Sequence, residues 1–464
     1  MNRLVSPQCL KCPTFRAGKC AGKIGKRLVA TDAPIARKDK QEGDISSVFS
    51  RFSGRKSAPL PDRFRDVKRN LTVGLKVRTE EVATKREAII PQLNFSDIQA
   101  GNVSPAKIEA IRRTGVAVIR GVVPKGVTED LLADVRQYFD GHSFTGFPSD
   151  AEKKVIYESY WSPSQVKARS HSNMLVAQSW MNQLYRADAD QKIDLSVPLT
   201  YCDRVQIRPP GDRHFGLPPH VDGGGVERWE DPSYNHVYRK IFQGNWREYN
   251  PWDLTGRLDA NMNIAGLDCL AMGPNKVHLS FIPSCSPPLP TGFFGPSSSP
   301  LAKVLWMDGS SPSMMKKARF ICMVLTPELP TEHTPDHHPH LNLAETMIPN
   351  PTVEPGDTVF WSADTIHGTE AVNAGKNDAC LFYIPSVPLT PNNAQYVAQQ
   401  RDAFLKGVPP PDFPGGLGES QFSNRAQVGD IQSDAGRVAM GLDPIKPNGK
   451  NDRLVQEINK ILGH

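Results

Sequence analysis

No apolar run in this chain approaches the ~20 residues that a membrane-spanning helix needs, so no membrane partner is expected. Charge of one sign does not dominate either. The 55 Lys and Arg residues face 49 Asp and Glu, a net charge of +6, much of it near the N-terminus. This balance argues against a broad basic surface for nucleic acid. A disulfide scaffold is also missing: eight cysteines are scattered over 464 residues, which suits a reducing compartment. Proline (41) and glycine (36) are plentiful, more so than in a helical protein and in keeping with a loop-rich β fold.

Residues 1–43 are expected to form a separate basic segment. Residues 1–40 hold ten Lys or Arg and two acids, Asp32 and Asp39. Two readings stay open, a mitochondrial transit peptide and a disordered basic tail, so the expected compartment is cytoplasmic or mitochondrial. Cys9, Cys12 and Cys20 could be three zinc ligands without a clear fourth. Residues 44–415 read as one domain and 416–464 as a polar tail containing a short helix over 453–462. Within the domain, 75–90 reads as a charged helix. Ser104, Pro105 and Gly115 frame the next helix as cap, first turn and stop. The β-branched run 116–123 predicts the first core strand. Thr128 is expected to cap a helix that turns Leu131, Val135 and Phe139 to one face. Further helices are expected over 164–186 and 393–406, with strands dominating from about 200 to 388.

The chemistry-bearing signal is His220-Val221-Asp222 with a distant His367. Residues i and i+2 of a strand share a face, so His220 and Asp222 can reach one ion while Val221 turns into the core. The three glycines 223–225 let the chain turn sharply beside it. Pro355-Gly356-Asp357 is a turn leading into a β-rich run that ends near His367. Two imidazoles and a carboxylate are the donor set of facial non-haem Fe(II) sites.

Several runs in order resemble the DUF1479 family. They are Gln206 to Asp212 leading into Pro219 to Gly224, Val226 to Asp231, Tyr160 to Gln165, Lys240 to Gly244 and Tyr249 to Asp253. The resemblance spans roughly residues 44–415. It implies an α+β protein with a mainly β core: a double-stranded β-helix (jelly roll, cupin-like) with flanking helices, similar to 2-oxoglutarate/Fe(II) dioxygenases. One stretch departs from the family pattern. Where an aromatic-rich strand is expected, the chain reads Met262 to Met272 and then Pro/Ser-rich sequence to about residue 313.

The leading reading is therefore an Fe(II)/2-oxoglutarate-dependent oxygenase acting on a small molecule. A cupin-type hydrolase or isomerase using Zn or Mn, and a binding protein without activity, stay beside it. A bound 2-oxoglutarate would need a cation for its far carboxylate. Lys376 and Arg208 compete for that role, and Gln206 shares a strand face with Arg208. Tyr160, Arg169 and His171 are candidates for the pocket mouth. Asp364 could orient the His367 ring. His333, His337, His338 and His340 form a second cluster, read either as a loop or as a second metal site. Trp361 and Phe382 read as core aromatics.

Overall fold

The computed structural model describes residues 75–151, 154–221, 236–242, 245–258, 266–272, 279–281, 333–336, 338–413, 416–447 and 449–464. The expectations for the basic N-terminal segment and its cysteines, for Asp222, for the glycines 223–225, for His337 and for most of 262–313 lie outside these residues.

Twelve strands are described: β1 (Gln92–Asn94), β2 (Val116–Arg120), β3 (Gly146–Phe147), β4 (Ile156–Tyr157), β5 (Asp194–Thr200), β6 (Val205–Arg208), β7 (Gly266–Ala271), β8 (Leu279–Phe281), β9 (Ile348–Pro349), β10 (Thr358–Ser362), β11 (His367–Thr369) and β12 (Ala379–Leu389). They form a mixed α+β architecture. The larger sheet runs β1-β2-β10-β7-β12-β6-β4-β3, with β5 continuing along β12. Its β1–β2 pair is parallel. The smaller sheet is β11-β8-β9, antiparallel throughout.

Alternation along the strands assigns each face of the large sheet its own core. Ala117, Ile119, Phe360, Phe382 and Ile384 pack under helices. Val116, Val118, Val359, Trp361, Ala271 and Leu381 pack with Phe281 and Ile348 of the smaller sheet. With both faces covered, the central strands read as continuous apolar runs.

Helix α1 (Pro105–Thr114) has the expected frame. The Ser104 hydroxyl accepts from the Lys107 amide, and Gly115 closes the helix at φ 70°. Helix α2 (Lys125–Asp140) begins earlier than expected, with Pro124 as cap. Thr128 sits a turn inside and donates its hydroxyl to the Pro124 and Lys125 carbonyls. The helix expected over 164–186 is two helices, α3 (Pro163–Arg169) and α4 (Ser172–Asn182). Ser170 Oγ turns back on the Val166 carbonyl, and His171 caps the second helix. Helix α5 (Pro391–Lys406) is capped by Thr390 and stopped by Gly407.

The polar tail expected from 416 onward packs against the body. It carries α6 (Asp434–Ala439) and α7 (Asp452–Leu462). Leu454, Val455, Ile458 and Leu462 of α7 are buried with Leu199, Leu389, Ala394 and Val397. Their spacing makes one apolar helix face that must be covered. No helix among the described residues is long and apolar enough to cross a membrane.

Candidate metal centre

His220 and His367 meet backbone to backbone. Each amide donates to the other's carbonyl, at 2.8 and 2.9 Å. Segment 217–220 thereby extends the edge of β11, and Val221 is buried beside it. The approach is close enough that a Cβ on Gly368 would lie 3.0 Å from the Leu217 carbonyl oxygen and 3.2 Å from the Pro219 nitrogen.

The two rings are 4.4 Å apart between centres. Two imidazoles bound side by side to one ion through bonds of about 2.1 Å place their ring centres about 4.5 Å apart. The pair therefore fits a shared ion. Their tautomers fit as well. His220 Nδ1–H donates to the Pro218 carbonyl at 2.8 Å and His367 Nδ1–H to the Thr365 carbonyl at 3.0 Å. A carbonyl only accepts, so each Nδ1 carries a proton, and Nε2 is the nitrogen through which the neutral ring would bind a metal. Trp361 and Phe281 lie 5.3 and 6.4 Å from the His367 ring. Among the described residues no three His, Cys, Asp or Glu side chains converge; Asp222, the expected third ligand, lies outside them.

Asp364 does not reach the His367 ring. Its carboxylate accepts from Tyr238 and Tyr249 and pairs with Arg257, while the Thr365 carbonyl takes the imidazole proton. Arg257 was missed by sequence reasoning. It lies just beyond the family-like run at 249–253, and nothing local links it to a residue more than a hundred positions away.

Register places Gln206 and Arg208 opposite Leu381 and Ala379, on the face that also carries Ala271 and Trp361. Arg208 is fully buried and committed. It donates to the Asp212 carboxylate at 2.8 Å, to the Glu370 carbonyl at 2.7 Å and to the Asp212 carbonyl at 3.2 Å. Gln206 accepts from the Tyr383 hydroxyl at 2.9 Å, and its buried Nε2 has no partner among the described residues. Lys376 is exposed on the turn before β12.

Tyr160 and Arg169 are buried and His171 is half-buried. Tyr160 and Trp161 are buried against Phe404, Ala426 and Met440. Their amides donate to the Glu419 carboxylate at 2.9 and 2.8 Å, which also accepts from Ser159 and Tyr138. Burial raises the Glu419 pKa while those four donors lower it. Arg169 donates to the Tyr160 carbonyl and lies over the Trp161 ring. His171 accepts from the Asn173 amide as a helix cap. These side chains are held by buried packing and capping, so the family-like run at 160–165 is a docking point for the C-terminal segment.

In the second histidine cluster, the His333 amide donates to the Pro219 carbonyl at 2.7 Å. The His333 and His338 rings lie 4.7 Å apart. Burial first, then the His338 imidazole, holds His333 well below the usual histidine pKa and pushes His340 down to about 3. Both rings therefore stay neutral in the fold. Below about pH 6.5 the unfolded chain binds protons that the folded chain refuses. Their contribution is intact above that pH and drains as pH falls toward about 3, where His340 titrates. The expected slope is up to about 1.4 kcal/mol per pH unit for each ring. Urea midpoints at pH 7.5, 6 and 5 should fall in that order, and His340→Gln should flatten the fall. A profile that His340→Gln leaves as steep as the wild type counts against this assignment.

The Gig2-like family profile matches residues 57–270 and 307–442, well over half of the chain. The chain belongs to the Gig2-like family. This Gig2-like chain is 31% identical over 433 residues to YbiU, an uncharacterized protein of Escherichia coli (strain K12), with 87% of this chain and 93% of YbiU covered. The crystal structure of GIG2 (DUF1479) from Candida albicans superposes with a TM-score of 0.70 at 23% identity, covering 87% of this chain and 91% of that one. A Salmonella typhimurium LT2 protein called an oxidoreductase in name alone superposes with a TM-score of 0.68 at 25% identity, covering 82% and 93%. The profile skips 271–306 and matches 262–270 and 307–313, so the expected departure from the family pattern over 262–313 is confined to its middle.

Proposed function

We propose that this Gig2-like protein is an Fe(II)- and 2-oxoglutarate-dependent oxygenase of a small organic molecule, on a jelly-roll core. The observation that carries the reading is the His220–His367 pair: two backbone-bridged imidazoles with their Nδ1 protons tied to carbonyls. Two sheets that share the Trp361, Leu381 and Phe281 core support the jelly roll. The oxidoreductase name of the Salmonella relative supports the reaction class.

His220, Asp222 and His367 would hold the iron, with Asp222 supplied by i, i+2 alternation. When bound, Fe(II) with 2-oxoglutarate supplies the oxidising power that converts a substrate C–H to C–OH, as 2-oxoglutarate and O₂ become succinate, CO₂ and the hydroxyl oxygen. The chain's part is to bind, orient and exclude water. The carbonyls of Pro218 and Thr365 fix the two rings. Trp361 and Phe281 cover the His367 ring with apolar surface. Gln206, whose Nε2–H groups have no partner among the described residues, would donate to a carboxylate of the cosubstrate.

A second reading, a binding protein of the same fold without turnover, is favoured by the family match breaking over 271–306. One experiment separates the readings. Purified protein with Fe(II) and ascorbate is assayed for succinate formed from 2-oxoglutarate. His367→Ala is expected to lower the rate at least ~100-fold with an unchanged circular dichroism spectrum, since a lost ligand removes several kcal/mol of metal binding. Iron bound tightly with no succinate formed supports the binding protein. Zinc bound in preference to iron, again without succinate, supports a hydrolase or isomerase.

A further inference from the structure

We propose that Arg257 and Asp364 are a positioning pair for His367, setting the ring that faces His220. The inference rests on the metal-site reading of His220 and His367. The His367 ring is aimed by the Thr365 carbonyl, which takes its Nδ1 proton at 3.0 Å. That carbonyl belongs to the short turn joining β10 to β11, and the turn is gripped from two sides. On one side the Ser362 amide and the Thr365 hydroxyl both donate to the Gly115 carbonyl, at 2.8 and 3.2 Å. On the other, the Asp364 carboxylate accepts from the Tyr238 hydroxyl at 3.3 Å and pairs closely with Arg257. Arg257 is 3% exposed and also donates to the Tyr249 hydroxyl at 2.7 Å.

Stability alone does not account for this pair. Burying two charges costs about as much as their attraction returns, and apolar residues of like size often serve the fold as well. Here the Arg257 Nε–H is also buried without a partner among the described residues, a further cost to the fold. What the guanidinium gives that apolar packing does not is a directed polar tie: one nitrogen, Nη2, joins the Asp364 carboxylate to the Tyr249 hydroxyl and so holds the turn whose Thr365 carbonyl aims the imidazole.

Co(II) is the probe, because its visible absorption reports ligand geometry and its binding needs no turnover. Arg257→Met with Asp364→Leu removes both charges together, so neither is stranded. The double variant is expected to keep its urea midpoint near the wild-type value. It should bind Co(II) about 10–100-fold more weakly, the usual effect of removing a ligand's support, with an altered visible spectrum. Arg257→Lys keeps the charge but on a shorter, differently aimed side chain that cannot reproduce the shared Nη2 contact to Asp364 and Tyr249, and is expected to fall between the two. A folded double variant with wild-type Co(II) affinity and spectrum overturns the proposal. If the double variant does not fold, Arg257→Lys decides alone, and wild-type affinity in it overturns the proposal. Wild-type protein that binds Co(II) yet forms no succinate removes the oxygenase reading and leaves the pair standing. Wild-type protein that binds no Co(II) overturns both.

Discussion

Arg208→Met is expected to lose about 3–5 kcal/mol of stability, the usual effect of stranding one member of a buried ion pair. Arg208 has no exposed surface and its partner Asp212 is nearly as enclosed. Without the guanidinium, the donors left to the Asp212 carboxylate among the described residues are the amides of His214 and Phe215, and the Glu370 carbonyl loses this donor. A large fall in the urea midpoint would identify Arg208 as the pin that fastens β6 to the loop after it. A variant with the wild-type midpoint and only a raised 2-oxoglutarate requirement would return Arg208 to the role of carboxylate anchor.

Gly356→Ala is expected to be comparably damaging, by about 4 kcal/mol. The residue sits at φ +95°, where a side chain is strained, and its Cβ would lie 1.9 Å from the Val123 carbonyl oxygen. That contact cannot be relieved by a rotamer, because backbone meets backbone. Gly356 donates to the Ala271 carbonyl and accepts from the Val123 amide. Beside it, Asp357 is held by Arg120 and the Gly121 amide. Moving the turn pulls on β2, β7 and β10 at once. The midpoint of thermal or urea unfolding checks this, and a shift of under about 1 kcal/mol would show that the turn yields.

Much of this architecture is legible in the sequence wherever the cause is local. Ser104, Pro105 and Gly115 act within a turn of the helix they bound. The apolar runs of β2 and β10 announce strands covered on both faces. His220 and His367 are legible as a chemical type, and the Pro-Gly-Asp turn places the second of them at a strand start. What escapes is polar and long-range. The family-like run at 160–165 looks like a pocket, yet its amides end on Glu419, some 258 residues later. The break at Ser170 depends on one hydroxyl choosing a backbone carbonyl. Arg257 meets Asp364 only after β7 and the smaller sheet have brought the two turns together. A short helix over 453–462 is legible in the sequence, but the polar composition around α7 disguises that its apolar face is covered.

The placement of Glu419 and α7 bears on how the chain is made. A ribosome extends the polypeptide from the N-terminus, and domains tend to fold as units as they emerge. Here the inner strand β7 lies between β10 and β12, both synthesised later. The amides of Tyr160 and Trp161 await a carboxylate at 419, and β5 awaits the apolar face of α7. A nascent chain halted near residue 415 would carry both His220 and His367 yet remain open at the Tyr160–Trp161 dock. Emergence of Glu419 and α7, more than that of His220 and His367, is then the step that fills the Tyr160–Trp161 dock and covers β5.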